Sequence, residues 1–206
     1  MKLSNLFGAL VVLSLVLLGV ARAQRDFSNV EIKSTPVSGN IHMLEGSGGN
    51  IGVSVGVDGL LIVDDQFAPL ADKIEAALAR LDQGNLKFVL NTHWHGDHTG
   101  GNAHFGRNAS IVAHTNVRKR LVEADRTPKE GLPVITFDRS LSLHFNEEEI
   151  KVIHLPSGHT DGAAPYVMPE SGCLRESQIE IEIGSALVSK YGSLRFFKLH
   201  YTDLVS

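Results

Sequence analysis

The chain has 206 residues, of which 43% are hydrophobic, 20% are charged and 6% are aromatic. This composition is typical of a globular protein and excludes a disordered or fibrous one. The formal net charge of −4 argues against a nucleic-acid-binding protein that relies on a basic surface. A single cysteine, Cys173, excludes an internal disulfide framework and a four-cysteine zinc site.

The first 23 residues are typical of a secretory signal peptide. Lys2 provides a positive start, residues 6–20 form an uncharged apolar run, and Ala21-Arg22-Ala23 is a small-residue cleavage site. The run is shorter than the roughly 20 residues that span a bilayer, so a membrane anchor is the less favoured alternative. We therefore expect a periplasmic or secreted protein with no stable membrane anchor after cleavage.

The rest of the chain alternates between strand and helix patterns. Strands are predicted at Ile51–Val57, Leu60–Val63, Lys87–Leu90, Ile111–Ala113, Val134–Phe137, Leu141–Phe145 and Ile150–Leu155, after a short apolar stretch at Ile41–Leu44. Asp58-Gly59 predicts a hairpin between the first two strands. Apolar residues at helical spacing predict helices at Pro69–Leu81 and Val117–Glu123. This order indicates a mixed α/β fold with sheets covered by helices.

Residues 92–102 contain a cluster of metal-ligating side chains and read Thr-His-Trp-His-Gly-Asp-His-Thr-Gly-Gly-Asn. His93, His95, Asp97 and His98 lie within six residues, directly after a predicted buried strand. Imidazole and carboxylate groups are ligands that Zn²⁺ takes in proteins. The alternatives are a polar loop that happens to be rich in histidine and a metal site without chemistry. The spacing favours a catalytic metal site over both.

A second polar segment, residues 154–162, also follows a predicted strand and contains His159. This histidine is placed to add a third imidazole to the metal site. Three histidines on one zinc ion leave the fourth position for water, whose pKa zinc lowers towards about 7. Asp97 is expected either to orient that water or to bind a second metal.

The pattern H-x-H-x-D-H from His93 to His98, followed by Gly-His159-Thr, resembles that of the metallo-β-lactamase superfamily of zinc hydrolases. The resemblance covers roughly Asn40 to Ser171. It implies an α/β fold, the αββα metallo-β-lactamase sandwich, with the metals at one edge of the two sheets. We therefore divide the chain into a signal peptide (1–23), a metallo-β-lactamase-like domain (24–171) and an atypical C-terminal tail (172–206).

The resemblance also implies a role for each matching residue. His93, His95 and His159 are expected to bind a first zinc ion, and Asp97 and His98 a second. Asp64 matches an aspartate that supports the site from behind the ligands, although an ordinary turn residue is the alternative.

The sequence departs from the family pattern after His159. The family adds a bridging aspartate or cysteine and a last histidine to the second zinc site, and neither is evident here. Cys173 and His200 are the candidates in the tail, and we expect neither to be a ligand. The remaining histidines are expected to be structural or exposed: His42, His104, His114, His144 and His154. The C-terminal half of the sandwich is therefore expected to be incomplete or atypical, either in a shortened product or in a compact protein that uses one zinc ion.

These observations predict an exported zinc-dependent hydrolase that uses metal-bound hydroxide on an amide or ester bond of a small-molecule substrate. The export signal favours a β-lactamase-like role, with one or two zinc ions per chain. Asp97 is the candidate catalytic residue, because it could pass a proton to the leaving group through water. The alternative is a non-catalytic zinc-binding protein or a truncated, inactive member of the same family.

Overall fold

A computed structural model describes residues 25–82, 84–155 and 160–163 with their side chains, and the backbone of three short strands after them. The predicted signal peptide lies outside the described residues, and so do His159, His200 and an alternating segment at Ile179–Ile183. Within the described ranges, no helix combines the length and the hydropathy needed to cross a bilayer.

The first sheet has seven strands in sequence order. They are β1 (Lys33–Ser38), β2 (Ile41–Glu45), β3 (Ile51–Gly56), β4 (Gly59–Val63), β5 (Leu86–Leu90), β6 (Ser110–His114) and β7 (Ile135–Phe137). Neighbours from β1 to β4 are antiparallel, and neighbours from β4 to β7 are parallel. The predicted Asp58-Gly59 hairpin is confirmed between β3 and β4. Strand β1 was not predicted, because it is exposed and has no apolar alternation.

In the part of the chain that the structure describes, the second sheet has five antiparallel strands in the order β12-β11-β10-β9-β8. They are β8 (Ser140–Phe145), β9 (Glu148–Ile153), β10 (Tyr166–Met168), β11 (Cys173–Arg175) and β12 (Phe197–Lys198). The last two strands come from the segment predicted as an atypical tail, so that segment extends this sheet.

The helices are α1 (Ala71–Leu81), α2 (Gly96–Thr99), α3 (Asn102–Phe105) and α4 (Thr115–Glu123), with 3₁₀ turns at Ala68–Leu70 and Lys129–Gly131. The two predicted helices are confirmed as α1 and α4. The two short ones, α2 and α3, lie within and just after the motif of residues 92–102, where no helix was predicted. Four residues are too few to show a helical period, which is why the sequence did not reveal them.

The core has two layers, one on each face of the first sheet. On β4, Leu61 and Val63 pack with Val152 of the second sheet, whereas Leu60 and Ile62 pack with helix α1. This alternation follows from the two-residue period of a strand. It produces a helix layer, a sheet and a second sheet, so the predicted α/β sandwich is confirmed.

Strands β4 and β5 end at the same edge of the sheet, because they are parallel neighbours and Val63 pairs with Leu90. The backbone N–H of Asp64 donates to the Leu90 carbonyl at 2.8 Å and extends this pairing by one residue. The polar segments that follow the two strands, residues 64–66 and 91–102, are thereby brought side by side.

Candidate metal centre

Three consecutive polar residues, Asp64, Asp65 and Gln66, follow strand β4, and all three are buried. Asp64 and Gln66 have left-handed backbones, with φ values of 64° and 56°. Residues other than glycine rarely adopt this conformation, and where they do the surrounding structure usually holds them. The turn sends the three side chains to three different parts of the site.

Asp64 is the hub of the hydrogen bonds behind the histidines. Its Oδ1 accepts from the Thr92 backbone N–H at 2.7 Å, and its Oδ2 accepts from the Thr92 hydroxyl at 2.8 Å. The same Oδ2 lies 2.7 Å from Nδ1 of His98. The role expected for Asp64, supporting the ligands from behind, is consistent with this arrangement.

These contacts define which nitrogen of each ring carries a proton. A carboxylate only accepts, so His98 donates through its Nδ1–H. Thr92 uses its hydroxyl proton on Asp64, and its Oγ1 then accepts from Nδ1 of His93, 3.0 Å away. Both histidines therefore carry the lone pair on Nε2, which is the form in which a neutral imidazole binds a metal.

The predicted ligands of residues 93–98 form one cluster at the ends of β4 and β5. The His93 ring centroid lies 3.9 Å from that of His98 and 4.8 Å from that of His95. Asp97 is 37% exposed, and its Oδ2 lies 3.6 Å from Nε2 of His98. The buried imidazoles of His93 and His98 thus lie side by side, and we call them the histidine floor. Asp97 is partly exposed and lies on the solvent side of this floor, which we call its mouth.

Asp65 holds the backbone of the same motif. Its Oδ1 accepts from the Gly101 N–H at 2.8 Å, and its own N–H donates to the His98 carbonyl at 3.2 Å. Burial raises the pKa of the Asp65 carboxyl well above its ordinary value, the nearby charge of Asp64 adds to the rise, and the bond from Gly101 opposes it. Asp65 therefore contacts the motif through the backbone groups of His98 and Gly101.

Gly100 allows two segments of the site to pack closely together. A Cβ on Gly100 would lie 2.6 Å from the backbone oxygens of Gln66 and Gly96. Its φ of −66° is an ordinary helical value. The missing side chain is therefore needed for close packing of residues 96–101 against residues 64–66.

His159 lies outside the described residues, but the chain on both sides of it is described. Leu155 N–H donates to the Ala163 carbonyl at 3.0 Å, and Asn116 Nδ2 donates to the Asp161 carbonyl at 2.7 Å. That His159 is a ligand stays a prediction. Cys173 belongs to β11, and its side chain is not among those described.

A second group of ligand types lies on the surface, where Asp72, Glu75 and His104 have ligand atoms within 4.8 Å of one another. His104 Nε2 lies 3.0 Å from Glu75 Oε2, and its Nδ1 lies 3.6 Å from Asp72 Oδ1. The Asp72 side chain is 94% exposed. Exposed charge pairs of this kind contribute little to stability and are common without an ion. His104 is 28% exposed and pairs with these exposed carboxylates, in line with the structural or exposed position predicted for it.

The donor set around His98 fits zinc. Imidazole nitrogens and a carboxylate suit this borderline ion, and Asp64 and Thr92 supply the outer hydrogen bonds that orient metal-binding imidazoles.

Comparison with known proteins places this geometry in a family. The profile of the Metallo-beta-lactamase superfamily matches residues 35–174, more than half of the chain. The chain belongs to the metallo-β-lactamase superfamily. Members of this superfamily generally bind zinc. The family resemblance of the H-x-H-x-D-H pattern is thus confirmed.

Similar proteins include hydroxyacylglutathione hydrolases and metallo-β-lactamases. The chain is 35% identical to the hydroxyacylglutathione hydrolase of Synechococcus sp. over 54% of its own length and 42% of that protein, and 35% identical to the Brucella anthropi enzyme over 55% and 43%. It thus spans less than half the length of these curated relatives. A metallo-β-lactamase from Pontibacter korlensis superposes with a TM-score of 0.60 at 17% identity, over 70% of each chain. The subclass B3 enzyme BJP-1 of Bradyrhizobium japonicum gives 0.59 at 22%, over 69% of this chain and 59% of its own. These two likenesses establish the fold alone.

Three site residues were not assigned a role from the sequence: Thr92, Asp65 and Gln66. A run of buried polar residues at the end of an apolar strand is a signal that could have drawn attention to 64–66. The left-handed turns that aim the side chains are not readable from the residue types, because aspartate and glutamine adopt them only where the fold requires it.

Proposed function

We propose that this protein is an exported, zinc-dependent hydrolase that cleaves an amide, ester or thioester bond of a small molecule. The observation that carries the proposal is the buried pair His93 and His98, whose Nδ1 atoms are both engaged through Thr92 and Asp64. This arrangement leaves Nε2 of both rings available to bind metal at the ends of β4 and β5. The choice of zinc as the metal rests on membership of the superfamily.

In this proposal His93, His95 and His159 would hold a first zinc ion, and Asp97 and His98 a second. When bound, zinc supplies Lewis acidity, which makes water more acidic and stabilises negative charge on a carbonyl oxygen. Asp64 keeps the His98 ring in one orientation and compensates the positive charge that the imidazole shares. Thr92 orients the His93 ring through its hydroxyl, which accepts from Nδ1.

Asp97 is the proposed catalytic residue. Its half-exposed carboxylate lies at the mouth of the histidine floor, next to His98 Nε2. A carboxylate in this place would orient water towards the carbonyl carbon and then hold the proton until the leaving group takes it. The glycine-bearing turn of residues 96–101 is braced by Asp65, which keeps Asp97 in position relative to the histidines.

Two substrate classes follow from different observations. The curated relatives at 35% identity are named for hydrolysis of hydroxyacylglutathione, which is a thioester. The predicted signal peptide instead favours a substrate met outside the cytoplasm, such as a β-lactam. We propose thioester and β-lactam carbonyls as the two classes to test, because the same attack on a carbonyl carbon serves both.

The test is hydrolysis of S-lactoylglutathione and of the chromogenic cephalosporin nitrocefin by the mature protein loaded with zinc. Asp97→Asn should remove most of the turnover on whichever probe is cleaved and leave zinc binding by the histidines in place. Asp72→Asn, on the surface cluster, is the matched control and should keep full activity. Hydrolysis of neither probe would contradict the acyl-hydrolase proposal.

The alternative is a non-catalytic zinc-binding protein, because beyond His159 the sequence offers no recognisable further ligand for a second zinc ion. Zinc binding together with an Asp97→Asn variant that behaves as the wild type would favour it. Export is a separate proposal. The amino-terminal residue of the protein recovered from the cell envelope tests it, with Gln24 as the expected result and Met1 as the result that contradicts it.

A further inference from the structure

Gln66 is a buried amide whose two ends are both used on a single loop. Its side chain lies next to the connection between β2 and β3, residues 46–50, which we call the glycine loop. The Ser47 N–H donates to Gln66 Oε1 at 3.2 Å, and Gln66 Nε2 donates to the Gly49 carbonyl. One side chain thus ties two backbone groups of a segment that has little side-chain packing of its own.

Gln66 reaches the loop from a backbone that is itself constrained. It is 1% exposed, and its φ of 56° is left-handed. Gly100 packs against its backbone oxygen, so the residue is held from the side of the metal motif. Gln66 therefore links the glycine loop to the turn of residues 64–66, which also contains Asp64.

The tip of the glycine loop rests beside the proposed catalytic residue. Gly48 has a φ of +95°, and a Cβ built on it would lie 2.9 Å from Cβ of Asp97 and 3.0 Å from Cε2 of Phe67. No larger residue fits there without displacing its neighbours. At Gly48 the loop therefore presents only backbone next to Asp97, on the solvent side of His93 and His98.

We propose that Gln66 is a positioning residue for substrate binding: it fixes the glycine loop as a rim beside Asp97, against which the acyl part of the substrate lies. This inference rests on the proposed function, because it concerns the same site. Within the described residues, the hydrogen bonds of the Gln66 amide go to the glycine loop and not to a proposed metal ligand, so its effect should fall on substrate binding and not on metal binding.

Asn146 provides a matched control. It is also a buried side-chain amide at a left-handed residue, with a φ of 54°. It ties the β3–β4 turn in the same manner, through Asp58 N–H to its Oδ1 at 3.0 Å and its Nδ2 to the Gly59 carbonyl at 3.0 Å. A general loss of stability from removing such an amide should appear equally at Asn146, which holds a turn at the other end of β3 and β4 from the metal motif.

The experiment compares Gln66→Met and Asn146→Leu, which keep side-chain size and remove the amide. In the zinc-loaded protein, Gln66→Met should speed amide hydrogen exchange in residues 46–50, keep the wild-type zinc content, and raise KM about tenfold with kcat changed by about twofold or less. Asn146→Leu should lose stability but keep the wild-type KM. The substrate is whichever of S-lactoylglutathione and nitrocefin the wild type cleaves.

The outcomes separate this inference from the proposed function. If Gln66→Met leaves loop exchange or KM at the wild-type value, or if Asn146→Leu raises KM equally, the positioning role is wrong. If the wild type cleaves neither probe, the proposed function fails, and the exchange result alone decides whether Gln66 holds the loop. A fall in kcat with unchanged KM would also overturn the inference, because it would place Gln66 in the chemistry.

Discussion

Nδ1 of His98 lies 2.7 Å from Oδ2 of Asp64, although the two residues are 34 positions apart in the sequence. Both are buried, and the contact joins the end of β4 to the motif that follows β5. A carboxylate behind an imidazole sets the tautomer and strengthens the ring as a ligand. This relationship leads to the first prediction.

Replacement of Asp64 by asparagine should weaken zinc binding by about 10–100-fold, because an amide N–H would face the Nδ1–H of His98 and the Thr92 hydroxyl. Competition with a chelating dye measures the affinity. Asp72→Asn tests the surface cluster in the same assay and should bind zinc as the wild type does. Weaker zinc binding in Asp72→Asn together with normal binding in Asp64→Asn would contradict this prediction and indicate that zinc binds at the surface cluster.

Thr92→Val should destabilise the fold by about 1–3 kcal/mol, because the buried Asp64 carboxylate loses one donor and His93 loses its acceptor. Urea unfolding of the metal-free protein measures this loss. Thr92→Ser keeps the hydroxyl and should recover most of the stability. If serine is as destabilising as valine, the loss cannot be assigned to the hydroxyl hydrogen bonds, because serine keeps the hydroxyl.

Asn91 and Asn102 form a reciprocal buried amide pair, with Nδ2–Oδ1 distances of 3.0 and 2.9 Å. Asn91 Nδ2 also donates to the His98 carbonyl, which ties the pair to the metal motif. We expect the two alanine substitutions to be non-additive, with a coupling of about 0.5–3 kcal/mol in a double-mutant cycle of unfolding free energies. Additive losses would mean that the two amides act independently.

His114 should cause the stability to fall as the pH drops below 6.5. Burial lowers its pKa below the ordinary value of 6.5, and its Nδ1 accepts the Asn116 N–H at the start of α4. The unfolded chain therefore binds a proton that the folded protein excludes. The contribution of neutral His114 to the free energy of unfolding is complete above pH 6.5, and it is lost as the pH falls through the lowered pKa.

His114→Asn keeps a capping acceptor that does not titrate, and it should flatten this part of the stability profile. Urea unfolding at several pH values measures the slope. His144→Asn, at an exposed position of β8, controls for the loss of a histidine. An unchanged slope in His114→Asn would contradict the assignment.

Much of the fold was predictable because its apolar periods are regular. The hairpin at Asp58-Gly59, the helix ending at Leu81 and the strand before the metal motif all follow from local patterns that agree with the packing. Strand β1 was missed, because an exposed edge strand needs no apolar alternation. The short helices α2 and α3 were missed, because four residues are too few to show a helical period.

The site was predictable to the level of its ligand motif, and its support was only partly so. The spacing of His93, His95, Asp97 and His98 was readable as a ligand set, and the family resemblance implied that Asp64 supports them. Thr92 and Gln66 gave no sign of their roles, because these depend on contacts between distant segments. The Thr92 hydroxyl meets a carboxylate 28 positions away, and the Gln66 amide meets a loop 17 and 19 positions away.

The central claim is that the histidines after β5 hold zinc. The most direct test is the zinc content per chain, by mass spectrometry, of the mature protein and of His93→Ala, both kept from chelators. We predict at least one zinc ion per wild-type chain and its loss in His93→Ala, with the protein still folded by circular dichroism. A wild-type protein without zinc, or a His93→Ala variant that keeps its full content, would contradict the account.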